Sequence, residues 1–331
     1  VVEWGWSCRA RFAVLSSFVG LAACVAAPVL VPDTALLPAL PRHVDLTGVP
    51  FFPQQSDQCG PAALAEVMGY RGIEATPEQL RPRVYVPARG GSLQSEMLAV
   101  PRSDGLLAYQ IAPLLHDLLR EIAAGNPVLV LQDLAFAPFS RWHYAVVTGY
   151  DLVAGDLVLR SGEDPRRRLG FTVFDRTWAR SGRWAAVFMD AGQLPATAQP
   201  LAYLRSASAL ESVGRASEAY AAYRAATTAW PAERAAWLGF GNTAYRLSNF
   251  AIAEQAFKSL IALNPLEPEG WNNLAYGFAA QGCTRAARDA ARCAVALSDM
   301  PEFRATLHEI ERLSDAGASC AVAACPALSG R

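Results

Sequence analysis

The sequence predicts two folded units in tandem: an α+β domain with helices packed on an antiparallel sheet, then an all-α solenoid of helical repeats. Three observations carry this. Residues 48–192 open with helical patterning and switch to short β-branched runs bounded by turn residues. Beyond residue 200 the chain is alanine-rich, helical throughout and repeats itself every 34 residues, the spacing of Trp237 and Trp271. At 331 residues there is chain enough for two cores.

In order, an apolar helix spans 59–70, and "GSLQSEMLAVPRSDG" reads as a second, with Ser92 as its cap and Gly105 past its end. "IAPLLHDLLREIAAG" places Leu114, Leu115, Leu118, Leu119 and Ile122 at helical spacing, closed by Gly125. Strands follow at 127–133, 143–151, 156–162 and 183–190, the middle two joined as a hairpin. The run "DPRRR" at 164–168 reads as a solvated loop.

Superposing the C-terminal half on its own period aligns four columns: Tyr203, Trp237, Trp271; Ala219, Ala253, Ala287; Tyr223, Phe257, Ala291; and Ala226, Leu260, Ala294. Pro231 and Pro265 close the first two units and Asp299 the third. The pattern is similar to the tetratricopeptide repeat. Single units of that kind cannot bury their faces, so three stack over 200–315, with 301–313 as capping helix and 316–331 as a flexible tail. The tryptophans belong to the repeat core.

The net charge is −1, and Lys258 is the sole lysine beside 28 arginines, so nothing argues for nucleic acid as partner. The first residues have the layout of an export signal: Arg9 and Arg11, an apolar run, then small side chains. Leu21-Ala22-Ala23-Cys24 resembles the lipobox of bacterial lipoproteins. That implies a signal peptide over 1–24, lipidation of Cys24 and a Pro/Ala-rich tether over 25–47. The expected location is the periplasmic face of the envelope, at the outer rather than the inner membrane because Val25 is not an aspartate. A plain membrane anchor over Phe12 to Val31 is the alternative. Export permits disulfides among Cys283, Cys293, Cys320 and Cys325, an even set of open pairing, and leaves Cys59 over. Cys320 and Cys325 have no ligand-like companions, so no metal is expected, and no cofactor.

Cys59 stands where a polar, turn-prone segment meets a helix with Pro61 in its first turn. A thiol attacks as thiolate, and the positive end of a helix dipole favours that form. The Cys59 amide and Gln54, five residues upstream, can serve an oxyanion. Among the histidines, His43 falls in the tether, His116 on the polar side of a helix and His308 in the capping helix. Only His143 begins a strand, where a rigid sheet can present a base to the helix start.

"VPFFPQ…QCGPAAL" followed by "HYAVVTGYD" resembles the papain-like cysteine peptidases related to the domain that removes double-glycine leader peptides from bacteriocins. The resemblance covers about 48–195 and implies a papain-like fold with Cys59 as nucleophile, His143 as base and Gln54 as oxyanion donor. Such peptidases usually orient the histidine with an aspartate at the end of the next strand. That place falls near Ser161 here, with an Asp-Pro three residues on at Asp164, so the third member is Ser161 or Asp164. The expected function is peptide cleavage by an anchored cysteine peptidase whose repeats bind a protein partner or the substrate. The alternative is a catalytically silent, peptidase-like adaptor acting through its repeats.

Overall fold

The computed structural model describes residues 40–54, 58–135, 139–314, 320 and 324–326. The expected lipidation site Cys24 and the signal segment lie outside the described residues.

The antiparallel sheet has the order β4 (Leu106–Gln110), β9 (Ala185–Asp190), β5 (Val128–Asp133), β6 (Trp142–Asp151), β7 (Asp156–Ser161), β8 (Asp164–Gly170). The short β1 (His43–Asp45) pairs with the last part of β6, opposite Gly149 to Asp151. His43 is therefore part of the sheet, and the folded unit starts before the expected end of the tether at residue 47. Strand alternation gives the sheet two buried faces. Leu129, Leu131, Tyr144, Val146 and Phe188 pack with α1 (Cys59–Tyr70), α2 (Pro77–Val84) and α3 (Gln94–Ser103). Val128, Val130, Ala145, Val147 and Leu159 pack with α4 (Leu115–Ala123) and α5 (Phe171–Ala179).

The α1 helix occupies its expected span, and Gly60 to Met68 are all buried, so it is apolar all round rather than amphipathic. By contrast, α4 buries one stripe of Leu115, Leu118, Leu119 and Ile122. A full capping box between Thr76 and Gln79 starts α2. Two readings change. Ser92 does not cap α3; it lies in β3 (Gly91–Ser92), paired with β2 (Tyr85–Val86), and Leu93 holds the cap position without a side-chain bond. The run 164–168 is not a loop but most of β8, whose arginines are exposed on an edge strand. Charge on an edge blocks sheet-to-sheet pairing, and it hides the strand from any reading based on apolar alternation.

The repeats form α6 (Pro200–Ser212), α7 (Ala216–Ala229), α8 (Arg234–Arg246), α9 (Phe250–Leu263), α10 (Pro268–Ala280), α11 (Thr284–Leu297) and the capping α12 (Pro301–Glu311). The tryptophan and proline columns are linked physically: the indole N–H of Trp237 donates to Pro231 O, and that of Trp271 to Pro265 O, each at 2.8 Å. Disulfides join Cys283 to Cys320 and Cys293 to Cys325. The tail is thus pinned to α11 at Cys320 and Cys325.

The two halves share one core. Tyr203, Ala207, Leu210, Ala219 and Tyr223 belong to the same buried cluster as Tyr109, Leu118 and Val187. Glu121, fully buried on α4, fixes the crossing chain: it accepts from the amides of Ala196 and Thr197, the Thr197 hydroxyl and the Asn126 side chain. The Tyr109 hydroxyl donates to Thr197 O and accepts from the Gln199 amide, just ahead of α6. Replacing Glu121 by alanine strands several buried donors and should cost about 3 kcal/mol or more. Calorimetry of Glu121→Ala should show one transition at lower temperature; repeats that melt separately from the sheet domain in the wild type would contradict the shared core.

Candidate active site

Cys59 is the first residue of α1, and no side chain caps that helix start. Pro61 brings no N–H of its own, so the exposed donors of the first turn are the amides next to the thiol. A side chain at position 60 would collide with Ser92, since a Cβ there lies 2.3 Å from Ser92 Oγ. Glycine therefore lets β3 close over the helix start. Cys59 lies outside both disulfides and lines a cavity of about 840 Å3 with Ser92, Leu131, Trp142, Tyr144 and Ser181. The Tyr144 hydroxyl donates to Ser92 O at 3.3 Å, tying β6 to β3 across that cavity.

His143 is the second residue of β6, between Trp142 and Tyr144. Alternation turns those two neighbours into the Cys59 cavity, and the imidazole is not among the cavity-lining groups. Its Nε2 lies 2.9 Å from Ser161 Oγ at the end of β7. Of the two expected third members, Ser161 is the one in contact. Asp164 stands opposite Ser161 in the β7–β8 ladder, but it is exposed and its Oδ1 accepts from the Arg166 amide.

Gln54 is buried, and its position is fixed by Gly162, the residue after Ser161. Its amide donates to Gly162 O at 2.9 Å, and its Oε1 accepts from the Gly162 amide at 3.1 Å. With the carbonyl end committed, Nε2 is a buried donor with no acceptor among the described residues. Such a group costs stability unless something else needs it. The chain Gln54–Gly162–Ser161–His143 thus runs in hydrogen bonds from the segment before Cys59 to the imidazole.

Sequence reasoning missed the layer beneath. Glu66, two turns along α1, is fully buried; its Oε1 accepts from the Phe52 amide at 3.1 Å. Arg160, next to Ser161, donates to Val49 O and Pro165 O. Burial pushes the Glu66 carboxyl up to about 8, against the Phe52 amide and the Arg160 charge, which both favour ionisation. The signal available in the sequence was a lone acidic residue in an otherwise apolar helix.

Burial, together with the Arg167 and Arg141 charges, pushes the His143 imidazole down to about 4. At neutral pH it is an unprotonated base. Ser161 can accept from Nε2–H or donate to Nε2, whereas a carboxylate only accepts and would favour the imidazolium.

Residues 46–185 match the model of the Peptidase_C39 like family. No curated protein matches the chain. Among solved structures, a C39-like peptidase from Bacillus anthracis is similar at 18% identity, over 45% of this chain and 98% of its own, with TM-score 0.39. The peptidase domain of Streptococcus ComA is similar at 17% identity, over 43% and 98%, with TM-score 0.35. The first TPR domain of human RPAP3 is similar at 19% identity, over 34% and 90%, with TM-score 0.33. The family match covers the sheet domain, residues 46–185, and stops short of the helical repeats.

Two titrations follow. NMR of the His143 ring in Arg167→Gln should show its pKa rising from about 4 towards 6.5; an unchanged value would remove the charge contribution. For Glu66, whose folded value lies above the ordinary carboxyl value of 4.5, the folded state holds the proton longer, so its contribution is full below pH 4.5 and is lost as pH rises to about 8. Urea titrations across that window should therefore show the stability of the wild type falling relative to Glu66→Gln, and parallel curves would contradict it.

Proposed function

We propose that the domain is a cysteine peptidase in which Cys59 attacks a peptide carbonyl with His143 as general base. The observation that carries this is the buried, unpartnered Nε2 of Gln54, held by Gly162 in the same short network that fixes His143. An oxyanion next to Cys59 is the acceptor that such a donor lacks. In the reading, the His143 ring, which does not line the Cys59 cavity in this structure, turns to it, and the Cys59 sulfur bonds to the carbonyl carbon as its thiol proton passes to the imidazole. The oxyanion takes hydrogen bonds from the Cys59 amide and Gln54 Nε2. Collapse breaks the C–N bond, the imidazolium returns its proton to the leaving amine, and water then hydrolyses the thioester with His143 again as base.

The low imidazole value makes this a neutral thiol–imidazole pair that transfers its proton during attack, rather than a preformed ion pair. Ser161 acts as a positioning residue. Export and lipidation at Cys24 are part of the proposal, supported by the two disulfides, which persist in oxidising compartments. The repeats, rigidly joined to the peptidase half, offer a surface for a protein partner or the substrate.

Two observations favour the silent-adaptor alternative: Ser161 stands where a carboxylate is expected, and the imidazole does not line the Cys59 cavity. Kinetics with a peptide substrate decide. Cys59→Ala should abolish turnover, and Ser161→Ala should lower kcat by between about tenfold and 10⁴-fold, the upper figure being the loss when a triad aspartate is replaced. Ser161→Asp should raise the imidazole pKa and move the acidic limb of the rate profile upward. Peptide turnover identical in wild type and Cys59→Ala would overturn the reading.

A further inference from the structure

The cavity beside Cys59 carries charge of one sign. Arg89, at the end of the short 3-10 turn Pro87–Arg89, lines it from the β2–β3 side, and Arg180, just past α5, lines it from the sheet side. No aspartate or glutamate is among its described lining residues. Asp133 and Glu96 lie close to Arg180 and Tyr144 respectively, yet neither lines the cavity. The Asp133 carboxylate is occupied by the amides of Ala135 and Arg141. Arg180 is anchored to Asp133 O by its Nε at 3.1 Å and by its Nη2, which fixes its place in the wall and leaves Nη1 to meet a ligand. Arg89 is exposed and makes no ion pair among the described residues.

The rest of the lining suits a peptide. Gly90 has φ +60, a conformation that glycine adopts without strain, and a Cβ on Gly91 would meet open space, so a substrate backbone can approach this loop closely. Ser92 Oγ is buried at the helix start with no partner among the described residues, a hydroxyl able to bond a substrate amide. Trp142 is 54% exposed and offers an indole face at the cavity edge.

We propose that Arg89 and Arg180 form an acid-reading subsite, so that substrates carry an aspartate or glutamate within about three residues of the scissile bond, the reach of extended chain from Cys59 across the cavity. This rests on the peptidase reading above and adds the substrate class. Guanidinium groups recognise carboxylates by paired N–H donors, and a site that excludes part of the solvent screens the attraction less than open water does.

The test is a set of fluorogenic peptides on one neutral scaffold, each position near the cleavage site carrying Asp, Asn or Lys in turn. Wild type should cleave the Asp member at one position at least about tenfold faster in kcat/KM than its isosteric Asn partner, with Lys slowest, and the ratio should shrink as salt rises. Arg89→Glu, at an exposed residue, should leave folding intact by circular dichroism and reverse the order so that Lys exceeds Asp. Cleavage of all members with no preference for Asp over Asn overturns the subsite but leaves the peptidase reading standing. If no member is cleaved, the peptidase reading fails. Fluorescence anisotropy of the same peptides on Cys59→Ala then decides the subsite alone: tighter binding of Asp than Asn by about tenfold supports it, and equal binding overturns it.

Discussion

Two buried groups behind the site, the Glu66 carboxyl and the Arg160 guanidinium, each hold a strip of backbone in place. Glu66 sits in the middle of an otherwise apolar helix and takes the Phe52 amide; Arg160 reaches Val49 O and Pro165 O. Between them they fix two strips of chain: the one that leads through Gln54 to Cys59, and the end of β7 that carries Ser161. Charge in such a place is costly to desolvate, and burial keeps the Glu66 carboxyl protonated to about pH 8 although the Arg160 charge favours ionisation. The two anchors are therefore geometric devices more than stabilising ones. They place Gln54 and the imidazole's partner Ser161 relative to one helix, which is what a preorganised site needs.

The same site is electrostatically unusual for a thiol and an imidazole. Arg167 and Arg141 face His143, and the residue on its Nε2 is a hydroxyl. The two charges disfavour the imidazolium, and the hydroxyl lacks the charge with which a carboxylate would favour it. What the arrangement retains is orientation: a hydroxyl 2.9 Å away still fixes the ring plane. Under the proposed function, the chemistry would be proton transfer during attack, with the burden of charge stabilisation moved to the oxyanion donors. Positive charge around the cavity follows the same trend, since it favours an anionic substrate as well as an anionic transition state.

Much of this was legible in the residues. The α1 span, the β5 to β7 strands and the repeat columns all appeared at their expected places because each obeys a local rule: buried small residues, β-branched runs between turns, a 34-residue period. Cys59 and Gln54 were picked out by their place at and before that helix start, and the Ser161-or-Asp164 position only by the family resemblance. Three things were not. Arg-rich β8 looked like solvent because its side chains are exposed and charged, even where Arg168 pairs with Asp156 of β7. Ser92 looked like a helix cap, since a serine near a helix start satisfies the pattern whether or not its hydroxyl points there. The anchors Glu66 to Phe52 and Arg160 to Val49 span distant parts of the chain, and no local pattern announces contacts of that range.

The shared core of sheet and repeats means that the solenoid is a fixed wall of the same molecule, so a partner held on it is presented at a set distance from Cys59. All of this depends on whether the imidazole acts on the thiol. The alkylation rate of Cys59 by iodoacetamide against pH, in wild type and His143→Ala, measures that coupling directly. The account predicts a change in rate of about tenfold or more and a displaced pH profile on removal of the imidazole. Superimposable profiles would contradict it.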